Sequence, residues 1–338
     1  MSTASLHTVL IATGVYPPES GGPATYTKLL EERLPALGFQ VRVLPFRVVR
    51  HLPKILRHIA YFFKCMVSAR GADVIYAQDT VSVGLPAALT AFCLGKRFMV
   101  RIPGDYAWEQ GRQRFGITDT LDVFQQKTFG IRIAFLRTVQ RFVVNQAEQV
   151  IVPSEYMKTI VSHWTSARKI SVIYSGVEMP VPTKVSRPEG FFVVTIARPV
   201  PWKGLEGLTR VVAREKNWHL MIVNNLPYEQ AMGYVQAADV FVINSTYEGL
   251  SHALIEAMML GTPVVATRVG GNPELVRDTI DGLLIEPNND EELYVALRSI
   301  ALDKTGARAR VEAARIRARS FTIEHSLMQL RPLLSSTM

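Results

Sequence analysis

A chain of 338 residues with 48% hydrophobic content can bury two cores of ordinary domain size. Its 38 Lys and Arg against 29 Asp and Glu leave a formal charge of +9, which favours an anionic partner. No helix-turn-helix, zinc spacing or ribonucleoprotein motif accompanies that charge, which argues against nucleic acid. The two cysteines, Cys65 and Cys93, lie in apolar surroundings without metal-ligand spacing, so a reducing cytoplasmic compartment is expected. The start of the chain has no basic region and cleavage site of a secretory signal, and the longest mostly apolar run, residues 81–94, is too short to span a bilayer.

In chain order, short apolar strands at 8–14, 40–44, 74–77, 98–102 and 150–152 alternate with helical stretches, which predicts a parallel sheet with helices on both faces. After the first strand comes Tyr16-Pro-Pro-Glu-Ser-Gly21-Gly22, a glycine-rich turn. In residues 47–70, Arg47, Arg50, Lys54, Arg57, His58 and Lys64 fall on one side of a helix. Leu52, Ile55, Leu56, Ile59, Phe63 and Met66 fall on the other. Such a helix can rest on an anionic lipid surface, placing the protein peripherally on the inner face of a membrane, or it can pack its apolar stripe on the sheet. Asp105 follows Pro103-Gly104 at a strand end. It is expected either to serve an acceptor hydroxyl as orienter or base, or to cap the next helix.

Residues 179–190 are polar and proline-rich, a predicted linker between a domain at 1–178 and another at 191–338. The second domain is expected to have strands at 192–196, 219–223, 240–243, 263–266 and 283–285. It ends in carboxyl-terminal helices, with an exposed Ala- and Arg-rich one at 307–319.

Two loops of this second domain carry the chemistry. Arg198 and Lys203-Gly204 follow one strand, supplying a planar fork and a point charge suited to a diphosphate. Glu248-Gly249-Leu250-Ser251 and Glu256 follow another, across a strand-to-helix turn. Both loops follow parallel strands and so emerge at the same carboxyl-end rim of one sheet. Helix starts bind phosphate because their first amides lack partners. Glu248 and Glu256 are separated by about 12 Å of mostly helical chain, at roughly 1.5 Å per residue. They can serve hydroxyls on either side of a diphosphate; taken alone, a solvated loop carboxylate and a helix ion pair remain equally open.

Together with Gly261-Thr-Pro-Val-Val-Ala, Gly270-Gly271-Asn-Pro-Glu274 and Asp281-Gly-Leu-Leu-Ile, these motifs resemble the retaining glycosyltransferases of the GT-B fold, glycosyltransferase family 4 type. The resemblance covers most of residues 8–320. It implies two doubly wound Rossmann-like domains facing a cleft, and transfer of a sugar from a nucleotide-diphosphate donor to an envelope lipid-linked or polysaccharide acceptor. The alternative is a non-catalytic GT-B protein that binds a sugar nucleotide or lipid in glycan assembly. By the resemblance, Arg198 and Lys203 hold the diphosphate, Glu256 the ribose, and Glu248 with Gly249, Leu250 and Ser251 the transferred sugar and distal phosphate. Gly21 and Gly22 form the glycine loop. No cofactor and no metal are implied, and no Asp-x-Asp motif is present.

Two departures stand out. Many relatives carry a histidine after the fourth amino-domain strand, where this chain has Asp105 as the nearest acidic residue; His252 sits at a helix start. After Met221-Ile-Val-Asn224, no further strand and helix precede Tyr234, so one unit that helps form the nucleobase pocket in relatives is expected to be missing.

Overall fold

The computed structural model describes residues 7–19 and 21–335; Ser20 of the glycine-rich turn lies outside the described residues. The chain forms two units, one taking it up to Tyr174 and again from Ser326 onward, the other Ser175–His325.

The first unit contains β1 (His7–Thr13), α1 (Gly22–Arg33), β2 (Phe39–Pro45), α2 (Lys54–Ser68), β3 (Val74–Ala77), α3 (Gly84–Leu94) and β4 (Arg97–Arg101). There follow α4 (Tyr106–Arg114), α5 (Leu121–Gln126), α6 (Ile131–Gln146), β5 (Gln149–Val152), α7 (Glu155–Ser162) and β6 (Ile170–Val172). The six strands are all parallel in the order β2-β1-β3-β4-β5-β6. Near-continuous Val, Ile and Ala at the centre of β1 and β3 are what a sheet covered on both faces requires. Right-handed crossovers that step from β2 to β3, β3 to β4 and β4 to β5 put α2, α3 and α6 on the same face. Their packing, α2 on α3 and α3 on α6, agrees.

The second unit contains β7 (Phe191–Ile196), α8 (Leu205–Val212), β8 (Trp218–Val223), α9 (Tyr228–Ala237), β9 (Val240–Ile243) and α10 (His252–Leu260). These are followed by β10 (Val264–Thr267), α11 (Asn272–Leu275), β11 (Leu283–Ile285), α12 (Asp290–Leu302), α13 (Lys304–Ala318) and the start of α14 (Ile323–Ser335). Its five parallel strands run β11-β10-β9-β7-β8, and β8 is an outer strand. Between β8 and β9 the chain forms α9 alone.

The apolar stripe of α2 does not face the sheet: Tyr61 and Cys65 are buried, whereas Ile55, Leu56, Ile59 and Phe63 are exposed. Two of the cations assigned to this helix lie outside it. Arg47 and Arg50 precede the helix and reach back to the Pro17 carbonyl, the Gly14 carbonyl and Glu19, while Arg57 turns over the Phe46 ring. The carboxyl-terminal helices are divided, because α14 crosses into the first unit at Ser326. There the Tyr26 hydroxyl meets Ser326 Oγ at 3.1 Å. The stretch from Ser175 belongs wholly to the second unit, where the Thr183 amide bonds the Glu229 carbonyl at 3.0 Å and so docks the proline-rich segment on α9.

In the first unit Arg97 is the clamp on α14. Its guanidinium donates to the carbonyls of Leu333 (2.9 Å) and Leu334 (3.1 Å) and to both oxygens of Glu148 (2.8 and 2.9 Å). These carbonyls lie in the last turn, which has no intrahelical donors of its own. Arg97→Ala should speed amide exchange in the last turns of α14 by about tenfold, the loss of roughly 1.5 kcal/mol from charge-assisted bonds. Unchanged exchange there would show the helix to be held by its apolar contacts alone.

Candidate functional site

In the second unit the loops after β7 and β9 rise side by side because the two strands are neighbours in the sheet. After β7, a short helical turn over Pro201–Lys203 ends at Gly204, whose φ of +61° is left-handed. A Cβ at Gly204 would stand 1.9 Å from the Asn244 carbonyl oxygen, so only glycine allows this approach. The Asn244 side chain donates back to the Gly204 carbonyl at 2.9 Å, and the Thr246 amide bonds the Trp202 carbonyl at 2.8 Å. The Lys-Gly pair therefore fixes one loop on the other.

The consequence is an ion pair: Lys203 Nζ lies 2.5 Å from Glu248 Oε1, and Ser245 Oγ donates to the same oxygen at 2.6 Å. Glu248 is only 7% exposed and the Lys203 side chain 19%. From the other side the Gly271 amide bonds the Glu248 carbonyl at 3.0 Å. Gly270 (φ +55°) is so close that a Cβ there would lie 1.7 Å from the same oxygen. Thr267 Oγ1 donates to the Ser245 carbonyl at 2.6 Å, completing the frame.

Glu256 lies on α10, whose cap is Ser251: its Oγ accepts the Leu254 amide at 3.3 Å. Gly249 and Leu250 precede the cap, and Gly261 (φ +78°) closes the helix. Glu256 is 6% exposed, and the Tyr228 hydroxyl donates to its Oε1 at 3.0 Å. Burial pushes the Glu256 carboxyl up from 4.5 to about 7, against the opposing effect of the Tyr228 bond. Arg198 stands apart, exposed in the loop between β7 and the Pro201 turn. Among the described residues its guanidinium has no hydrogen-bond or ion-pair partner.

In the first unit Asp105 is the N-cap of α4 and is 1% exposed. Its Oδ1 accepts the Trp108 amide (3.0 Å) and the Gln140 amide group (3.2 Å), and its Oδ2 accepts Gln125 Nε2 (2.8 Å). Burial raises its carboxyl above the usual range despite these donors. Both possibilities left open by the sequence thus meet a carboxylate engaged in capping. Gly21, with φ +130°, precedes α1, and Gly22 is its first residue.

Lys203, Glu248, Ser251 and Glu256 accordingly share one rim of the second sheet, with Arg198 earlier in the loop that carries Lys203; Gly21, Gly22 and Asp105 belong to the first unit. Ser245 and Tyr228 escaped the sequence reading. Ser245 opens the same Ser-Thr-Tyr-Glu segment, and a hydroxyl three residues before a carboxylate was a signal. Tyr228 follows Pro227 as the first residue of α9, a position that marks a helix start and says nothing of Glu256. Among the described residues no group of three or more His, Cys, Asp or Glu is placed to hold a metal, and no helix is long and apolar enough to cross a membrane.

Residues 5–176 match the family described as Glycosyl transferase 4-like domain, and residues 213–317 match Glycosyl transferases group 1. The chain is 28% identical over 148 residues to the lipopolysaccharide core biosynthesis glycosyltransferase LpsD of Rhizobium meliloti. That match covers 37% of this chain and 43% of LpsD, less than half the length of either. Two solved structures share the fold at 18% identity. Sucrose-phosphate synthase from Thermosynechococcus elongatus has a TM-score of 0.79, covering 97% of this chain and 98% of that one. HepE from Anabaena in complex with UDP-glucose has a TM-score of 0.75, covering 98% and 100%.

The Glu256 shift makes stability depend on pH. Unfolded, the carboxyl titrates near 4.5; folded, it keeps its proton up to about 7. The folded chain binds more protons across that window, so the associated stability is complete below 4.5 and is lost as pH rises through 7. Glu256→Gln keeps an acceptor for Tyr228 and removes the titration. Its melting temperature should therefore rise relative to the parent chain between pH 5 and pH 8, and parallel melting curves would show Glu256 to titrate normally.

Proposed function

The chain belongs to the GT-B glycosyltransferases of group 1, with a glycosyl transferase 4-like domain in its first half, and from that premise we propose that it moves a hexose from a nucleoside-diphosphate donor to an envelope glycan or lipid-linked acceptor with retention of configuration. The observation that carries this reading is the mostly buried Lys203–Glu248 pair beside a second buried carboxylate, Glu256, on one rim of a parallel sheet. Burying an ion pair costs desolvation that the attraction only partly offsets, which suits a pair kept for a ligand. UDP-glucose on HepE and the lipopolysaccharide role of LpsD support the donor class and the envelope acceptor.

On this reading the donor diphosphate takes Lys203 from Glu248 and recruits exposed Arg198. The bond from the anomeric carbon to the phosphate oxygen breaks, and the leaving diphosphate gains negative charge. The two cations, with the amides of Gly249, Leu250 and Ser251, bind that charge more strongly in the transition state than in the ground state. They fill the role that a metal has elsewhere. The acceptor oxygen bonds the anomeric carbon on the same face and its proton passes to the departing phosphate oxygen. Glu248, released from Lys203, holds sugar hydroxyls, and Glu256 receives the ribose diol.

A non-catalytic sugar-nucleotide or lipid-binding role is the second reading, favoured by the single helix between β8 and β9 where relatives are expected to have a further strand and helix. Slow donor hydrolysis separates the two, since a mere binder releases no sugar. A nucleotide sugar that is a true donor, present at about 100 times its dissociation constant, should stabilise the protein by roughly 2.7 kcal/mol.

Arg198→Ala should lower donor use by about 10- to 100-fold, the loss of one charge-assisted contact of roughly 1.5–3 kcal/mol, with folding intact. Lys203→Ala should do the same, but it strands a buried carboxylate, so it is best measured together with the Lys203→Met/Glu248→Gln pair. Equal turnover in parent and Arg198→Ala would remove that residue from the site.

Glu248→Gln should reduce turnover more than donor affinity, by on the order of 2.7–4 kcal/mol of barrier, whereas Glu256→Gln should mainly weaken donor binding. Turnover should persist in chelator. Small and equal effects of the two substitutions would make both carboxylates structural.

A further inference from the structure

The layer formed by α2, α3 and α6 leaves apolar side chains uncovered along its length. On α2, Ile55, Ile59, Phe63 and Val67 recur every fourth residue with Leu56 beside them, and all are exposed. On α3, Leu89 and Phe92 are exposed, the latter to 81%. On α6, Ile131, Phe135 and Phe142 fall on one stripe and are 86%, 65% and 41% exposed. Single exposed apolar residues are ordinary; a run across three adjacent helices is not.

Charge says what covers it. The three helices contain no Asp or Glu, whereas Lys64 borders the α2 stripe and Arg132 and Arg141 flank the α6 stripe, all exposed. At about 100° per residue, Arg132 and Arg141 fall on opposite sides of the line through Ile131, Phe135 and Phe142. Phenylalanine and isoleucine framed by cations, with no anion on the same helices, complement a surface that is apolar inside and negative at its rim.

We propose that the outer face of α2, α3 and α6 is a docking surface for an anionic lipid bilayer, with Phe63, Phe92 and Phe135 entering the acyl boundary and Lys64, Arg132 and Arg141 meeting the headgroups. The surface is separate from the residues of the transfer reaction, so its failure and the failure of that reaction are told apart by assaying both. The apolar contacts supply area removed from water, and the cations supply an attraction that salt screens within about 10 Å at 0.1 M.

Cys93 gives the readout. It lies beside Phe92 and is exposed, while Cys65 is buried, so an environment-sensitive thiol dye labels the face itself. The full chain labelled at Cys93 is mixed with phosphatidylcholine vesicles with and without phosphatidylglycerol, in low and high salt, and donor turnover is measured in parallel without vesicles. Expected are a blue shift and co-sedimentation on anionic vesicles, weakened by salt. Lys64→Glu/Arg132→Glu should weaken binding by tenfold or more, each cation near such a surface being worth about a factor of five. Phe63→Ser/Phe135→Ser should lower it likewise, with melting temperature and turnover unchanged in both variants. Equal partition to neutral and anionic vesicles, or none, overturns the proposal. So does a dimer in sedimentation velocity that Phe63→Ser/Phe135→Ser dissolves, which would assign the face to a second copy.

Discussion

The carbonyl of Glu248 is held where no alternative exists. The Gly271 amide bonds it, Gly270 passes at a distance that forbids any side chain, and Ser245 at the start of the loop is tied to Thr267. With the backbone so fixed, the Glu248 carboxylate reaches Ser245 Oγ, and Lys203 is carried to it by the other loop through Gly204 and Asn244. Each tether is a backbone contact made by a glycine or a small polar residue, so the placement of two charges rests on atoms that carry no charge. A side chain at residue 270 would move the acid without touching it.

Glu256 is positioned by another means. It is buried in a helix whose start is capped by Ser251 and whose end is a left-handed glycine, so its height above the sheet follows from helix length. Its surroundings desolvate it and supply one hydroxyl, from Tyr228. The two carboxylates thus differ in kind, Glu248 saturated by a cation and a hydroxyl, Glu256 half-neutralised by burial near neutral pH.

Much of this was legible in the sequence, for a physical reason. Buried parallel strands announce themselves as short apolar runs, and the predicted strands lie within about two residues of those found; the short β6 was the exception. The Glu248 loop and α10 were legible because glycine and serine mark turns and caps. What was not legible depends on the face a helix presents. The spacing of Ile55, Leu56, Ile59 and Phe63 identified an apolar side of α2, but periodicity alone does not say whether such a side meets a sheet or the solvent. The helix packs instead through Tyr61 and Cys65, and Tyr61 reaches the Leu44 carbonyl at 2.6 Å. Arg47 and Arg50 lie before the helix, whose start is marked by Pro53, the one local signal that separates them from Lys54. The place of α14 was hidden for the same reason, since Ser326 meets Tyr26 and the last turn meets Arg97 through tertiary contacts that have no local signature.

The single helix between β8 and β9 has one more consequence. The Phe191 amide bonds the Asn217 carbonyl and the Ala197 amide the Val223 carbonyl, so in β8 the odd-numbered residues turn their backbone groups to β7. Alternation turns those of Leu220 and Ile222, with the carbonyl of Trp218, the other way, where no strand pairs with them among the described residues. Trp-His-Leu-Met-Ile-Val carries no proline, no lysine and no acid to discourage an incoming chain. An outer strand without these guards leaves backbone groups that can template another chain, and a lysine at Ile222 is the change that would blunt it.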